Sequence, residues 1–346
     1  MGNAWRGISK DALNQYEAEN LQFTGMQAED FEIHNVIIDD EKNHIKTIQI
    51  GDIQKVRLVL VHGYGASGII FYKIMKKLSE IFHVIMIDII GMVQVAGQNS
   101  KLKLQMKLMN GFSKIQKNGD QLWETLRIFI LLVIHLVAIK KKNKAWKWPS
   151  KYVKSLAKSV WKHQWSPFGI MRKSGKLIGK KLIRSYMKKR MSMLPEDEFE
   201  TLLNYMHLIF MRSRSSEYAI FIQFHLGMFA INPLECETRL GSKYLNLPNS
   251  FFYGDIDWMD KRAGRRVVVN NIYDGKLSHV YIVNKSDHHM YFDNPEEFVD
   301  LIIKDVQDTE EKSHLIKKDI PLKENNHIDN FRMASNYFDE MNLKNI

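Results

Sequence analysis

The chain is poor in the residues that staple or punctuate a fold. Of its 346 residues one is cysteine, Cys236, and seven are proline. A single thiol excludes an internal disulfide framework and fits a reducing compartment. No apolar run reaches the ~20 residues that a membrane helix needs. The nearest candidate, IFILLVIHLVAI at 128–139, spans 12 residues between Arg127 and Lys140, and reads as a buried strand running into a helix. The N-terminal MGNAWRGISKD lacks the apolar stretch of a secretory signal, and Arg6 stands where a myristoylation motif on Gly2 wants Ser or Thr. No Gly-x-Ser-x-Gly occurs anywhere, and residues 139–190 contain no Asp or Glu.

What is present suits one large α/β domain with a cap, since 45% of the residues are hydrophobic and the chain is long enough to bury a full core. RLVLVHGYGAS, at 57–67, is the most informative stretch. Its β-branched apolar run reads as a buried strand that breaks at His62-Gly63-Tyr64-Gly65. The two glycines let the backbone turn tightly and leave N–H groups outward, where Gly63 and Tyr64 can aim a donor at a developing oxyanion. The plainer reading is ordinary turn chemistry. Residues 69–81 have helical spacing, and FHVIMIDII at 82–90 is a second buried strand. Strand, loop, helix, strand implies a mostly parallel, doubly wound α/β sheet with its functional edge at the strands' C-terminal ends.

Near the C-terminus SFFYGDIDWMD (250–260) is a strand followed by Gly254 and three carboxylates. HVYIV (279–283) is another strand, ending in Lys285-Ser286-Asp287-His288-His289. Asn294 then reads as an N-cap with Pro295 at the first helical position. Strand, acid, strand, histidine and helix is the late half of a Ser…Asp…His order. His288 is the candidate base, against the reading of a surface histidine satisfied by water. Asp257 is preferred as the acid, with Asp260 as the alternative.

These motifs together resemble the α/β-hydrolase fold family. HGYGAS…FYKIMKKLSEIFHVIMIDIIGM, WSPFGI at 165–170, SEYA at 216–219 and HHMYFDNPEEF at 288–298 are similar to the subfamily holding the lipid-droplet lipase coactivator and the N-acyl-phospholipid lysophospholipase. The resemblance implies a helical cap beginning near Trp165 and a serine-type hydrolase or acyltransferase acting on lysophospholipid or acylglycerol esters. It further implies His288 as base and Asp257 as the orienting acid. His288 to Asp293 also satisfies HxxxxD, a spacing seen in glycerolipid acyltransferases. No metal or cofactor is called for.

The chain departs from that pattern where the nucleophile belongs. The strand at 127–132 runs into Val133-Ile134-His135-Leu136-Val137-Ala138, which places His135 at the nucleophile position, and branched residues cannot relax into the strained elbow that glycines permit. By codon degeneracy, one restored base in front of VIHLVAI yields GHSFGGY. The same change in front of VQVAGQNS yields GASGRTKF, completing GMGASGR. Two windows recovering the missing motif by one-base shifts point to frameshifts in the gene or its reading. Residues 140–151 contain no strand-like run, so the central sheet is expected to lack one strand and to expose an edge.

Charge is concentrated as well. Residues 139–190 hold 18 Lys or Arg of a chain whose net charge is +11, so the remainder is net acidic. Trp146, Trp148, Trp161 and Trp165 interleave with that charge. Such a face suits an anionic membrane or lipid-droplet surface, with Trp161, Trp165, Lys180, Lys181, Lys188 and Lys189 as its candidate contacts. A solvated surface helix is the plainer reading. Nucleic acid is not expected, because no base-reading motif accompanies the charge. The expected division is an N-terminal half-core at 1–140, a basic helical cap at 141–245, a C-terminal half-core at 246–310 and a polar tail at 311–346. The expected setting is cytoplasmic and peripheral to lipid surfaces, either as an enzyme or as a non-catalytic regulator of a partner lipase.

Overall fold

The computed structural model of the chain describes residues 10–37, 44–88, 128–132, 150–212, 216–226, 229–231, 235, 240 and 247–316. Helix α1 (Lys10–Gln22) precedes an antiparallel pair, β1 (Glu32–Ile37) and β2 (His44–Ile50). Lys46 of β2 and Glu17 of α1 form an ion pair that is buried on both sides. Strand β3 (Arg57–Val61) leads through a 3-10 turn at Gly68–Phe71 into α2 (Tyr72–Ser79) and returns along β4 (His83–Ile87). The two strands are parallel, with Leu58 opposite Val84 and Leu60 opposite Met86. Parallel neighbours need a crossover, and α2 supplies it by burying Tyr72, Ile74, Met75 and Leu78. Strand β5 (Ile128–Leu132) pairs in parallel with the other side of β3. The resulting order is β1-β2-β4-β3-β5, with β3, the expected strand, at the buried centre of its parallel part.

A helical portion follows: α3 (Lys151–Lys162), α4 (Pro167–Lys173), α5 (Lys176–Arg190), α6 (Glu196–Met211) and α7 (Ala219–Gln223). Local chemistry explains where these helices start. Ser150 accepts from the N–H of Val153, and Ser166 accepts from the N–H of Gly169 with Pro167 in the first helical position, satisfying donors that a helix start leaves open. Basic α5 ends on Lys188, Lys189 and Arg190, which complement its carbonyl terminus. Acidic α6 opens on Glu196, Asp197 and Glu198, and Arg184 of α5 pairs with Glu200 of α6. Phe199, Leu202, Tyr205 and Ile209 of α6 belong to the same apolar cluster as Leu58 and Leu60 of β3, so the helical portion and the sheet share one core.

A short antiparallel pair, β6 (Phe224–His225) and β7 (Phe229–Ala230), leads toward the C-terminal half. There β8 (Asn249–Gly254), α8 (Arg262–Tyr273) and β9 (Ser278–Val283) form a second parallel unit. Two helices complete it: α9 (Met290–Asp293) and α10 (Pro295–Ile316). Asn294 caps α10 as expected, its Oδ1 accepting from the N–H of Glu297 at 3.4 Å. The helix runs to Ile316, past the expected start of the polar tail at 311. Among the described residues β5 ends the five-stranded sheet and β8–β9 stand as a separate one. The stretch in which a strand is expected to be missing, like His135, lies outside the described residues.

Candidate active site

Two loops, one after β8 and one after β9, are stitched together by backbone. Asp255 N–H donates to the Val283 carbonyl at 3.0 Å, Ile256 N–H to the Ser286 carbonyl at 3.2 Å, and Ser286 N–H to Asp255 Oδ1 at 2.9 Å. The donors of Ser286 and Lys285 hold the Asp255 carboxyl below the usual range. Gly254 makes this approach possible, because a Cβ there would overlap the carbonyl oxygens of Ser286 and Asp287. Lys285 turns the second loop sharply with a left-handed φ of 52°, an uncommon conformation for a residue with a side chain.

The stitching brings Asp257 and His288 into contact. His288 Nδ1 lies 3.2 Å from Asp257 Oδ2 and 3.3 Å from Oδ1. A carboxylate only accepts, so Nδ1 carries the proton and the accepting lone pair falls on Nε2. The Asp257 side chain is 2% exposed, and its Oδ1 also accepts from the N–H of Met259 at 2.8 Å. Asp260, the alternative acid, is taken up elsewhere. Burial raises its pKa, but its hydrogen bonds with Arg262 outweigh that and hold it low.

The adjacent histidines are separated by burial. His289 is 4% exposed, and its Nδ1 lies 2.7 Å from the Tyr291 hydroxyl. Burial first, then the neighbouring His288 and Arg190, push its pKa down to about 3. Asp293, the acid of the HxxxxD spacing, accepts the Asp287 N–H at 2.9 Å. It thereby fixes the backbone just ahead of His288.

The turn after β3 lies beneath the helical portion. Gly65 is left-handed, and a Cβ there would press on Phe168. Phe168 stacks on Tyr64 at 5.3 Å and on Phe210 at 4.6 Å. The Tyr64 hydroxyl donates to the Glu217 carbonyl at 2.8 Å, while the fully buried Glu217 carboxylate takes both terminal nitrogens of Arg172 at 2.8 and 2.6 Å. His62 is fully buried, its Nδ1 2.8 Å from the Gly63 carbonyl and its Nε2 3.8 Å from Asp88. It is a packing histidine under the turn.

Of the six residues expected to form a lipid-facing surface, two are engaged within the protein. Trp161 is half-buried edge-on against Phe221, and Lys180 donates to Asn204 at 2.6 Å. Trp165, Lys181, Lys188 and Lys189 are exposed, with the Lys173 ammonium over Trp165. Residues not singled out above also reach the site. Trp258 lies 5.3 Å from the His288 ring, Arg190 lies 5.7 Å above Trp258, and Arg190 pairs with Asp287 at 3.0 Å. Trp258 stands beside the predicted acid and Asp287 beside the predicted base, which is the local signal; Arg190 carries none.

Most of the chain has clear structural relatives. It superposes on a membrane phospholipase A, described as a novel bacterial virulence factor, with a TM-score of 0.56 and 15% identity over 87% of this chain and 92% of that one. A putative lipase from Acinetobacter baumannii AYE matches with a TM-score of 0.54 and 12% identity over 88% and 98%. The fold is that of the α/β-hydrolases. No protein-family model matches the chain. A probable 1-acylglycerol-3-phosphate O-acyltransferase of Oryza sativa subsp. japonica is 24% identical over 298 residues, spanning 75% of this chain and 69% of the relative. In an α/β-hydrolase sheet the functional loops follow strand C-termini, which is where Gly63, Asp257 and His288 stand.

Neutral burial of His289 has a measurable consequence. The unfolded chain takes up a proton near pH 6.5 that the folded chain refuses until about pH 3, so stability present above 6.5 is lost as pH falls through that window. The loss from this group is at most about 1.4 kcal/mol per pH unit. Urea unfolding at pH 7 and at pH 4.5 is expected to show a smaller acid loss in His289→Asn than in the wild-type chain. An unchanged difference between the two pH values would show that His289 takes up its proton in the folded state.

Proposed function

We propose that this chain is an α/β-hydrolase-fold protein of lipid-ester metabolism, built on the plan of a serine-type hydrolase or acyltransferase for lysophospholipid or acylglycerol esters. The observation that carries the reading is the Asp257–His288 hydrogen bond between the loops that end β8 and β9. Asp257 fixes the tautomer of His288 and stabilises its imidazolium, leaving Nε2 to take a proton from a nucleophile. The turn at Gly63 and Tyr64 supplies an oxyanion donor. The rice relative, an acyltransferase by name, supports an acyl ester as substrate.

His135 stands in the sequence where a serine belongs, and on this reading the base has no hydroxyl to activate. Losing the nucleophile of such a triad costs on the order of 10⁶ in kcat. Expressed with its present sequence, the chain is expected to hydrolyse p-nitrophenyl acyl esters no faster than its His288→Ala variant. Turnover that disappears with His288→Ala would overturn the impaired-enzyme part of this reading.

A second, non-catalytic role on a lipid surface draws on the exposed faces of α3 and α5. Tyr152, Leu156, Leu177 and Ile178 are exposed apolar side chains set among Lys151, Lys154, Lys158, Lys181, Lys188 and Lys189. Among the described residues no helix is long and apolar enough to cross a membrane, and a cationic face with apolar side chains suits lying on one. As the alternative reading we propose a non-catalytic protein peripheral to anionic membranes or lipid droplets in the cytoplasm, regulating a partner lipase.

Vesicles containing anionic lipid are expected to bind the chain and neutral ones to bind it weakly. The binding should fall with salt as the Debye length shrinks from ~10 Å at 0.1 M to ~3 Å at 1 M. Replacing Lys181, Lys188 and Lys189 by Gln should cost up to about 1 kcal/mol per charge that meets the surface. The same change at Lys180, already bonded to Asn204, should cost least. Tighter binding to double-stranded DNA at equal salt would move the basic face from lipid to nucleic acid.

A further inference from the structure

The C-terminal residue of the basic helix reaches the candidate active site. Arg190 closes α5, and its guanidinium is held on two sides. Nη1 donates to Asp287 Oδ2 at 3.0 Å, and the group lies 5.7 Å over the Trp258 ring, which is itself 5.3 Å from the His288 ring. The other oxygen of Asp287 is buried without a partner. Withdrawing Arg190 would therefore leave a poorly solvated carboxylate, which keeps the pair closed. A guanidinium carries five N–H donors in a planar fork. Among the described residues only Asp287 accepts from this one, and the side chain is still 27% exposed. It is a pre-oriented cation with donors to spare, two ring contacts from the candidate base.

The helix surface leading to it is apolar. Ile178, Leu182 and Tyr186 precede Arg190 at four-residue steps, which places them on one side of α5, and all three are exposed. From 178 to 186 the stripe runs about 12 Å at the rise of an α-helix. A stripe of this kind ending in a cation complements a molecule with one alkyl chain and an anionic head. Planar, bidentate recognition by arginine matches phosphate better than a point charge would. In a glycerol phosphate ester only a few bonds of about 1.5 Å separate the acyl ester from phosphorus, which suits an ester near His288 with its phosphate at Arg190.

We propose that Arg190 is the specificity-determining residue for the headgroup, binding the phosphate of a single-chain phospholipid beside His288 while the Ile178–Leu182–Tyr186 stripe takes part of the chain. The assignment rests on the lipid-ester reading above, and it concerns binding, so it holds in a chain without a nucleophile.

The test uses the full chain and monomeric ligands below their aggregation concentration. Octanoyl-lysophosphatidic acid, mono-octanoylglycerol, glycerol 3-phosphate and inorganic phosphate are compared by isothermal titration. Quenching of Trp258 fluorescence, identified by its loss in Trp258→Phe, gives a second readout. The wild-type chain is expected to bind the lysophosphatidic acid about tenfold or more tighter than the other three, as befits a charge-assisted hydrogen bond. Arg190→Gln should abolish that preference while still binding mono-octanoylglycerol, which also shows that the variant is folded. Arg190→Lys should restore only part of it. The Lys181, Lys188 and Lys189 triple variant should keep it, separating a headgroup site from a charged surface. A preference that survives Arg190→Gln would overturn the proposal, as would inorganic phosphate binding as tightly as the lipid. Equal binding of the two lipids by the wild-type chain refutes the role of Arg190 alone. Failure to bind either lipid refutes the lipid-ester reading itself.

Discussion

The absence of a side chain at Gly254 is the constraint on which the candidate site depends. Two parallel strands end side by side, and their following loops must pass within backbone hydrogen-bonding distance for an acid on one to meet a histidine on the other. Any Cβ at position 254 would collide with the carbonyl oxygens of Ser286 and Asp287. With glycine there, Asp255 and Ile256 bond across to the β9 loop, and the left-handed turn at Lys285 carries the chain toward His288. The Asp257–His288 contact is the product of this backbone fit.

The helical portion is joined to the same machinery at two points. The Tyr64 hydroxyl on the Glu217 carbonyl, and Phe168 over Tyr64 and Gly65, lock it onto the turn after β3. Arg190 locks it onto the loops after β8 and β9 through Trp258 and Asp287. The Arg190–Asp287 pair half-buries charge, which is costly unless paired, so it fixes one arrangement of helix against loop. The basic helix α5 is thereby linked to the candidate base by two ring contacts.

Much of this was legible in the chain because it is local. The apolar runs of β3, β4 and β9, the helical spacing before β4, and the Asn294–Pro295 start of α10 each follow from short-range periodicity or capping chemistry. Asp257, three residues after Gly254, meets His288, whereas Asp260 is bonded by Arg262 two residues beyond it. The resemblance points to His288 rather than His289, and of the two His288 meets Asp257 while His289 is buried against Tyr291. The contacts of Arg190 with Asp287 and of Arg172 with Glu217 join residues far apart in sequence, and no local pattern announces them. The basic run was legible as charge, yet the inward engagement of Trp161 and Lys180 depends on partners at Phe221 and Asn204 that charge counting cannot locate.

The most direct measurement of the central contact is the imidazole N–H proton of His288 by NMR. The expected result is a downfield N–H resonance in the wild-type chain that persists in Asp260→Ala and vanishes in Asp257→Ala. Persistence of the resonance without Asp257, or its loss without Asp260, would contradict the pairing of the two loops described above.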